Sequence, residues 1–148
     1  MFWLDFLVFL FACMAAGLTG SLFPPGEWYS ELNKPVWTPP NWVFPVAWPI
    51  LYLLMSYSGA TLANLESAGS ALALWALQIS LNTLWTPVFF GLKNLKLGLI
   101  IILLLLVSVA ICTYVFWLYA WISGLLFLPY LAWVVFAAAL NAAVFKLN

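Results

Sequence analysis

From Leu97 to Tyr119 the chain carries no charged side chain and few polar ones. A run of that kind admits few folds, because a helix needs roughly 20 apolar residues, at about 1.5 Å each, to cross a ~30 Å hydrocarbon core. Four further stretches share its character, at Trp3–Leu22, Val43–Leu65, Ser70–Phe90 and Trp121–Phe145. Only 5% of the 148 residues are charged, whereas average globular chains carry about 25%. So few charges cannot cover the surface of a soluble fold. Strands of a membrane barrel would alternate polar and apolar over ~10 residues, and Leu97–Val107 does not alternate. The residues predict an all-α, multi-pass membrane protein, a bundle of five transmembrane helices.

The lysines orient it. With five crossings, the Phe23–Trp42 connection, the Gly91–Lys96 connection and the C-terminus share one side. They hold Lys34, Lys93, Lys96 and Lys146, which are all the basic residues, while Asp5 and Glu66 fall on the other side. The positive-inside rule then places the N-terminus outside and the C-terminus in the cytoplasm. The first segment has Asp5 and no positive charge ahead of it, so it reads as a retained helix and not as a secretory leader. A formal net charge of zero with no basic patch speaks against nucleic acid as a partner. Cys13 and Cys112 lie in different apolar segments, where a thiol commonly serves as a small buried hydrophobe.

The whole chain, residues 1–148, reads as one domain without a linker. Short connections late in the chain imply antiparallel neighbours. The Phe23–Trp42 connection is long and has its own aromatics, which suggests a folded lid. Pro24-Pro25-Gly26 should end the first helix, and Glu27–Leu32 can form a short helix on the membrane surface. Pro45 falls at a helix start, where a missing N–H matters little; Pro49 and Pro87 should bend their helices. Small residues four apart, at Gly59 and Ala63, Ala76 and Ser80, and Ala139 and Ala143, allow close backbone approach. That serves packing within the bundle or a homodimer seam, the latter best placed on the third long helix.

Much chemistry is absent. There is no histidine, all four acids lie near segment ends, and no ionisable group sits at mid-membrane. Ion-coupled pumps and proton relays usually need such a group. Zinc sites, histidine-ligated haem and serine or cysteine triads are excluded with the histidine, and nothing calls for a metal or a cofactor. What remains is aromatic and amide. Phe44, Trp48 and Tyr52 form one helical stripe; Gln78, Asn82, Trp85 and Thr86 share a face; so do Trp133, Ala137 and Asn141. Converging, they would line an apolar cavity with a few polar groups, the character of a small-molecule site. Each residue also has a plainer use, as an interfacial anchor or an interhelical hydrogen-bond partner, and Trp3, Trp117, Tyr119 and Trp121 read as anchors alone.

Three blocks carry a resemblance. The first is Trp28-Tyr29 with Leu32-Asn33-Lys34-Pro35 and Trp37-Thr38-Pro39-Pro40-Asn41-Trp42-Val43-Phe44-Pro45, followed by Trp48. The second is Asn82-Thr83-Leu84-Trp85-Thr86-Pro87-Val88-Phe89-Phe90-Gly91, and the third Pro129-Tyr130-Leu131-Ala132-Trp133 through Leu140-Asn141. In this order they resemble the TspO/translocator protein family, the bacterial relatives of the mitochondrial peripheral benzodiazepine receptor. The resemblance implies a five-helix bundle in a bacterial membrane, often dimeric, with a cavity under the first loop. It implies binding of tetrapyrroles such as protoporphyrin IX, of sterols, and of benzodiazepine-type drugs. By position, Trp48, Asn82, Trp133 and Ala137 belong to the pocket, and Trp28, Tyr29 and Trp37 to the covering loop. Near the C-terminus the run Asn141-Ala142-Ala143-Val144-Phe145-Lys146 lacks the tyrosine of the family's proposed cholesterol motif.

The function that follows is binding, with transport or sensing, of a flat lipophilic ligand, stacked on Trp48 and Trp133 and met by Asn82 and, at the surface, Lys34. The alternative is an enzyme that degrades porphyrin with light and oxygen through Trp48 and Trp133.

Overall fold

A computed structural model describes residues 1–148, and it is helical with no strand. The helices are α1 (Phe2–Leu22), the short α2 (Gly26–Glu31), α3 (Val43–Ala63), α4 (Gly69–Thr86), α5 (Leu95–Tyr119) and α6 (Trp121–Leu147). The five long ones track the five apolar segments to within a few residues. Four of them, α1, α3, α5 and α6, are long and apolar enough to cross a membrane. The chain is therefore a multi-pass integral membrane protein. α4 falls short of that measure because Gln78, Ser80, Asn82 and Thr83 interrupt its apolar surface.

Helix ends follow local chemistry. Gly26 has φ of 63°, a left-handed turn that a side chain would strain, and it lets the chain leave Pro24-Pro25 directly into α2. Pro49 and Pro129 lie inside α3 and α6. Pro87 stands where a bend is expected. It ends α4 and starts a π-helical turn, Pro87–Gly91, closed by Leu92 N–H donating to the Pro87 carbonyl at 2.9 Å. The wider turn adds a residue to the circuit and reorients the two phenylalanines within it. Asn94 caps α5, its side chain accepting from Leu97 N–H at 2.9 Å.

The long helices meet in the cyclic order α1, α3, α6, α5, α4, with α5 and α6 in the most extensive contact and only Ala120 between them. Close packing is concentrated at the end that holds the α3–α4 and α5–α6 connections. There Met55, Trp75, Phe116, Phe127 and Tyr130 are buried together. Gly59 gives room to the Phe9 ring, within 2.8 Å of where a Cβ would stand, so this small residue seats an aromatic side chain and not a neighbouring backbone. Ser58 and Ser123 exchange hydrogen bonds across α3 and α6, each hydroxyl donating to the other's carbonyl at 3.2 and 3.4 Å. Trp75 Nε1 donates to the Met55 carbonyl at 3.0 Å. The opposite end, where Phe23, Pro25, Tyr29 and Asn41 join residues of the long helices, is hollow.

Candidate ligand cavity

The hollow is a cavity of about 600 Å³. Three expected stripes converge on it: Phe44, Trp48 and Tyr52 from α3, Asn82, Trp85 and Thr86 from α4, and Trp133, Ala137 and Asn141 from α6. Helical periodicity alone aims these positions inward once the ring order is set. Sequence reasoning did not assign α1 to the site, yet Ala16, Gly17 and Gly20 form part of the wall. Their spacing puts small residues on one face, a signal that was present but not distinctive. Phe89 and Phe90 also reach the cavity, turned there by the π-helical segment, whose register periodicity cannot foretell.

The walls are aromatic and cross one another. The Trp48 and Trp133 rings stand 6.2 Å apart, edge to face at 83°, and Phe44 meets Trp133 at 5.8 Å. Trp85 lies stacked on Phe89 at 4.8 Å. Such offset and perpendicular pairs hold rings rigid beyond the gain from burial alone. No lysine, aspartate or glutamate lines the space.

The polar groups are distributed otherwise than expected. Asn82 was to offer its amide to a ligand. Instead its Nδ2 donates to the Tyr130 hydroxyl at 2.9 Å, and its Oδ1 accepts from the Tyr52 hydroxyl at 3.4 Å. Three buried polar side chains thus satisfy one another, the arrangement apolar surroundings demand. An unpaired amide nitrogen lies on Asn141. Its Oδ1 accepts from Trp85 Nε1 at 3.0 Å, while its buried Nδ2 has no partner in the protein. Gln78 is the other correction. It is buried away from the cavity, with both amide atoms unpaired, because the wall on α4 is built one turn farther along. Asn82→Leu should strand the buried Tyr130 hydroxyl and destabilise the fold by about 1–3 kcal/mol; denaturant unfolding in detergent measures it.

The residues expected in a covering loop divide. Tyr29 reaches the cavity with Phe23, Pro25 and Asn41. Trp28 does not line it but packs against Phe89 at 5.7 Å, and Trp37 lies outside, against Phe136 at 5.8 Å with about half its surface exposed (47%). Burial pushes the Tyr29 hydroxyl above its usual 10.0, so it meets the cavity as a neutral group. Lys34, expected to meet a ligand carboxylate, turns back on α2. Its Nζ donates to the carbonyls of Tyr29 at 2.6 Å and Leu32 at 3.2 Å and sits 4.5 Å over the Tyr29 ring. Carbonyls left free at a helix C-terminus attract a cation, and that demand is met first. Asn148 fastens the same connection to the end of α6: its Oδ1 accepts from Asn33 N–H at 3.0 Å and its Nδ2 donates to the Asn33 carbonyl at 2.9 Å. Asn148→Ala should speed hydrogen exchange at the Asn33 amide by roughly five- to tenfold, the equivalent of one or two modest hydrogen bonds.

Comparison with known proteins identifies the family. The model of a family described as the TspO/MBR family matches residues 9–147. Protein CrtK of Rhodobacter capsulatus is 52% identical over 147 residues, covering 97% of this chain and 92% of that protein. The tryptophan-rich sensory protein of Cereibacter sphaeroides is 47% identical, covering 99% and 92%. The human translocator protein is 34% identical, covering 99% and 91%.

Proposed function

Because the chain belongs to the TspO/MBR family, we propose that its cavity binds a flat, lipophilic ligand of the tetrapyrrole class, protoporphyrin IX foremost, and that the protein carries or senses it. The observation that supports this most is the cavity wall itself: about 600 Å³ bounded by Trp48, Trp85, Trp133 and Phe44, with no charged side chain. Flat rings gain from offset or edge contacts with such walls, and Asn141 Nδ2 is a buried donor in want of an acceptor. With no histidine in the chain, the metal-free macrocycle is preferred to haem. Sterols and benzodiazepine-type drugs fall within the same apolar class.

In this reading α4 is the fifth membrane crossing, carried by its contacts with α1 and α5, and the Phe23–Trp42 connection is a lid over one single-domain bundle. The N-terminus lies outside and the C-terminus in the cytoplasm of a bacterial membrane. Two contacts support the sidedness of the ends. Asn148 meets Asn33 on the lysine-bearing side, and Met1 lies beside Asp5 and Asn64 on the other. Ala76 and Ser80 lie exposed on α4, where a homodimer seam would use them.

Protoporphyrin IX should quench the tryptophan fluorescence of the protein in nanodiscs saturably, and iron protoporphyrin should do so more weakly. Equal, unsaturable quenching by both would sink the binding reading. Trp48 and Trp133, side by side on the wall, also suit the second reading, light-dependent breakdown of porphyrin with oxygen. Bleaching under light would then be faster with protein than without and would fall in a Trp48→Phe, Trp133→Phe double variant. Bleaching at the rate of free porphyrin removes that reading and leaves binding intact.

A further inference from the structure

Outside the cavity, between α3 and α6, lies a second hollow of about 490 Å³. Its lining is Ala47, Ile50 and Leu51 from α3, Pro129, Ala132, Trp133 and Phe136 from α6, and Pro39 from the connection. None of these side chains is charged, and only the Trp133 indole carries a polar atom. Trp133 also lines the inner cavity, so this residue borders both spaces. Both bounding helices meet the length and apolarity needed to cross a membrane.

We propose that this groove is a site for one hydrocarbon chain of a bilayer lipid, held against the outer face of Trp133. Shape carries the assignment. Ala47, Ala132 and Pro129 are short where their neighbours Ile50 and Phe136 are long, so the surface dips into a shallow, open groove. The exposed face of α1, by contrast, presents Leu4, Leu7, Val8 and Phe11 as an unbroken convex ridge. A chain in such a groove touches more wall and gains dispersion contacts that a flat or convex face does not provide. A helix of a second copy, about 10–12 Å across with its side chains, is too broad to enter a slot between two helices already in contact. The position along the membrane also fits a lipid. Val36, Trp37 and Trp42 are exposed at the connection end of the groove, beside Pro39, and exposed tryptophans of this kind sit at headgroup level. The headgroup would lie there, with the tail running down past Ala132. This site does not depend on what the inner cavity binds.

The test uses the full chain in nanodiscs made with a phosphatidylcholine that bears a photoactivatable diazirine in mid-chain. After irradiation, adducts are mapped by mass spectrometry. Labelling on Ile50, Ala132 and Phe136 should exceed that on Leu4–Phe11 of α1 by roughly threefold or more, the preference extra wall contact would confer. Ala132→Phe, a change at an exposed position, should fill the slot and bring groove labelling down to the α1 level while α1 labelling stays the same. Equal labelling of groove and α1 in the unmodified chain means bulk lipid only and overturns the proposal. So does groove labelling that falls as the protein-to-lipid ratio rises, which would assign the face to a second copy. A protoporphyrin titration of the same samples is scored separately, so loss of porphyrin binding bears on the cavity and not on the groove.

Discussion

Ala137→Thr is expected to weaken protoporphyrin binding by about one to two orders of magnitude, the equivalent of roughly 1–3 kcal/mol of overpacking at a filled site. Ala137 stands one helical turn from Trp133 and one from Asn141, all three on the cavity wall. Its methyl group leaves the slot beside the indole open. A threonine would push a methyl and a hydroxyl into that slot, and the hydroxyl would bring its own unmet hydrogen bond into an apolar space. Trp133→Phe removes wall area without blocking the slot, so its effect should be smaller, about three- to tenfold, from one lost aromatic contact of the usual 0.5–1.5 kcal/mol. Trp121, exposed at the start of α6 (62%), supplies the control: Trp121→Phe should leave affinity unchanged. Fluorescence or absorbance titrations in nanodiscs rank the three. If Ala137→Thr binds like the unmodified chain, the slot is not where the ligand lies.

The same positions show what the residues disclose unaided and what they do not. Apolar runs bounded by Pro, Gly and lysine mark the long helices, because membrane length and apolarity leave little else for such runs to be. Helical spacing also assigns Phe44, Trp48, Tyr52, Trp133, Ala137 and Asn141 to common faces, and all six line the cavity. Spacing says nothing of how far along a helix the cavity extends. Gln78 has the right angle and the wrong depth. Nor does it say which partner claims a polar group first. Asn82 is taken by Tyr130 and Tyr52, and Lys34 by the carbonyls of α2, since both demands are local and constant while a ligand is neither. The π-helical turn at Pro87–Gly91 breaks the 3.6-residue count altogether, so Phe89 and Phe90 could not be aimed by periodicity. α4 is the reverse case. Its polar residues weaken it as a membrane span by composition, yet one of them, Asn82, lines the cavity together with Thr86.

Gly124→Ala should cost the fold more than any other single methyl group added to a glycine of this chain. A Cβ at Gly124 would stand 2.7 Å from Trp117 Cα and 2.8 Å from its backbone nitrogen. At Gly59, Gly91 and Gly98 the nearest atoms belong to phenylalanine rings, which can tilt aside. At Gly124 the obstacle is main chain on α5, and Ala120, the lone residue between α5 and α6, gives the hairpin no slack. The helices must separate along their most extensive interface, and the buried pair of Phe116 and Phe127, 4.8 Å apart, would loosen with them. The exchanged Ser58 and Ser123 hydrogen bonds lie one residue from the wedge and would strain as well. Overpacking of this kind typically costs about 1–3 kcal/mol, and immovable backbone puts Gly124→Ala at or above the upper figure. Gly20→Ala, with nothing within 4 Å of its added methyl, should be close to neutral. Thermal unfolding of the three proteins in one detergent decides the matter. A Gly124→Ala variant that melts with the unmodified chain would mean that α5 and α6 do not approach as closely as their turn requires.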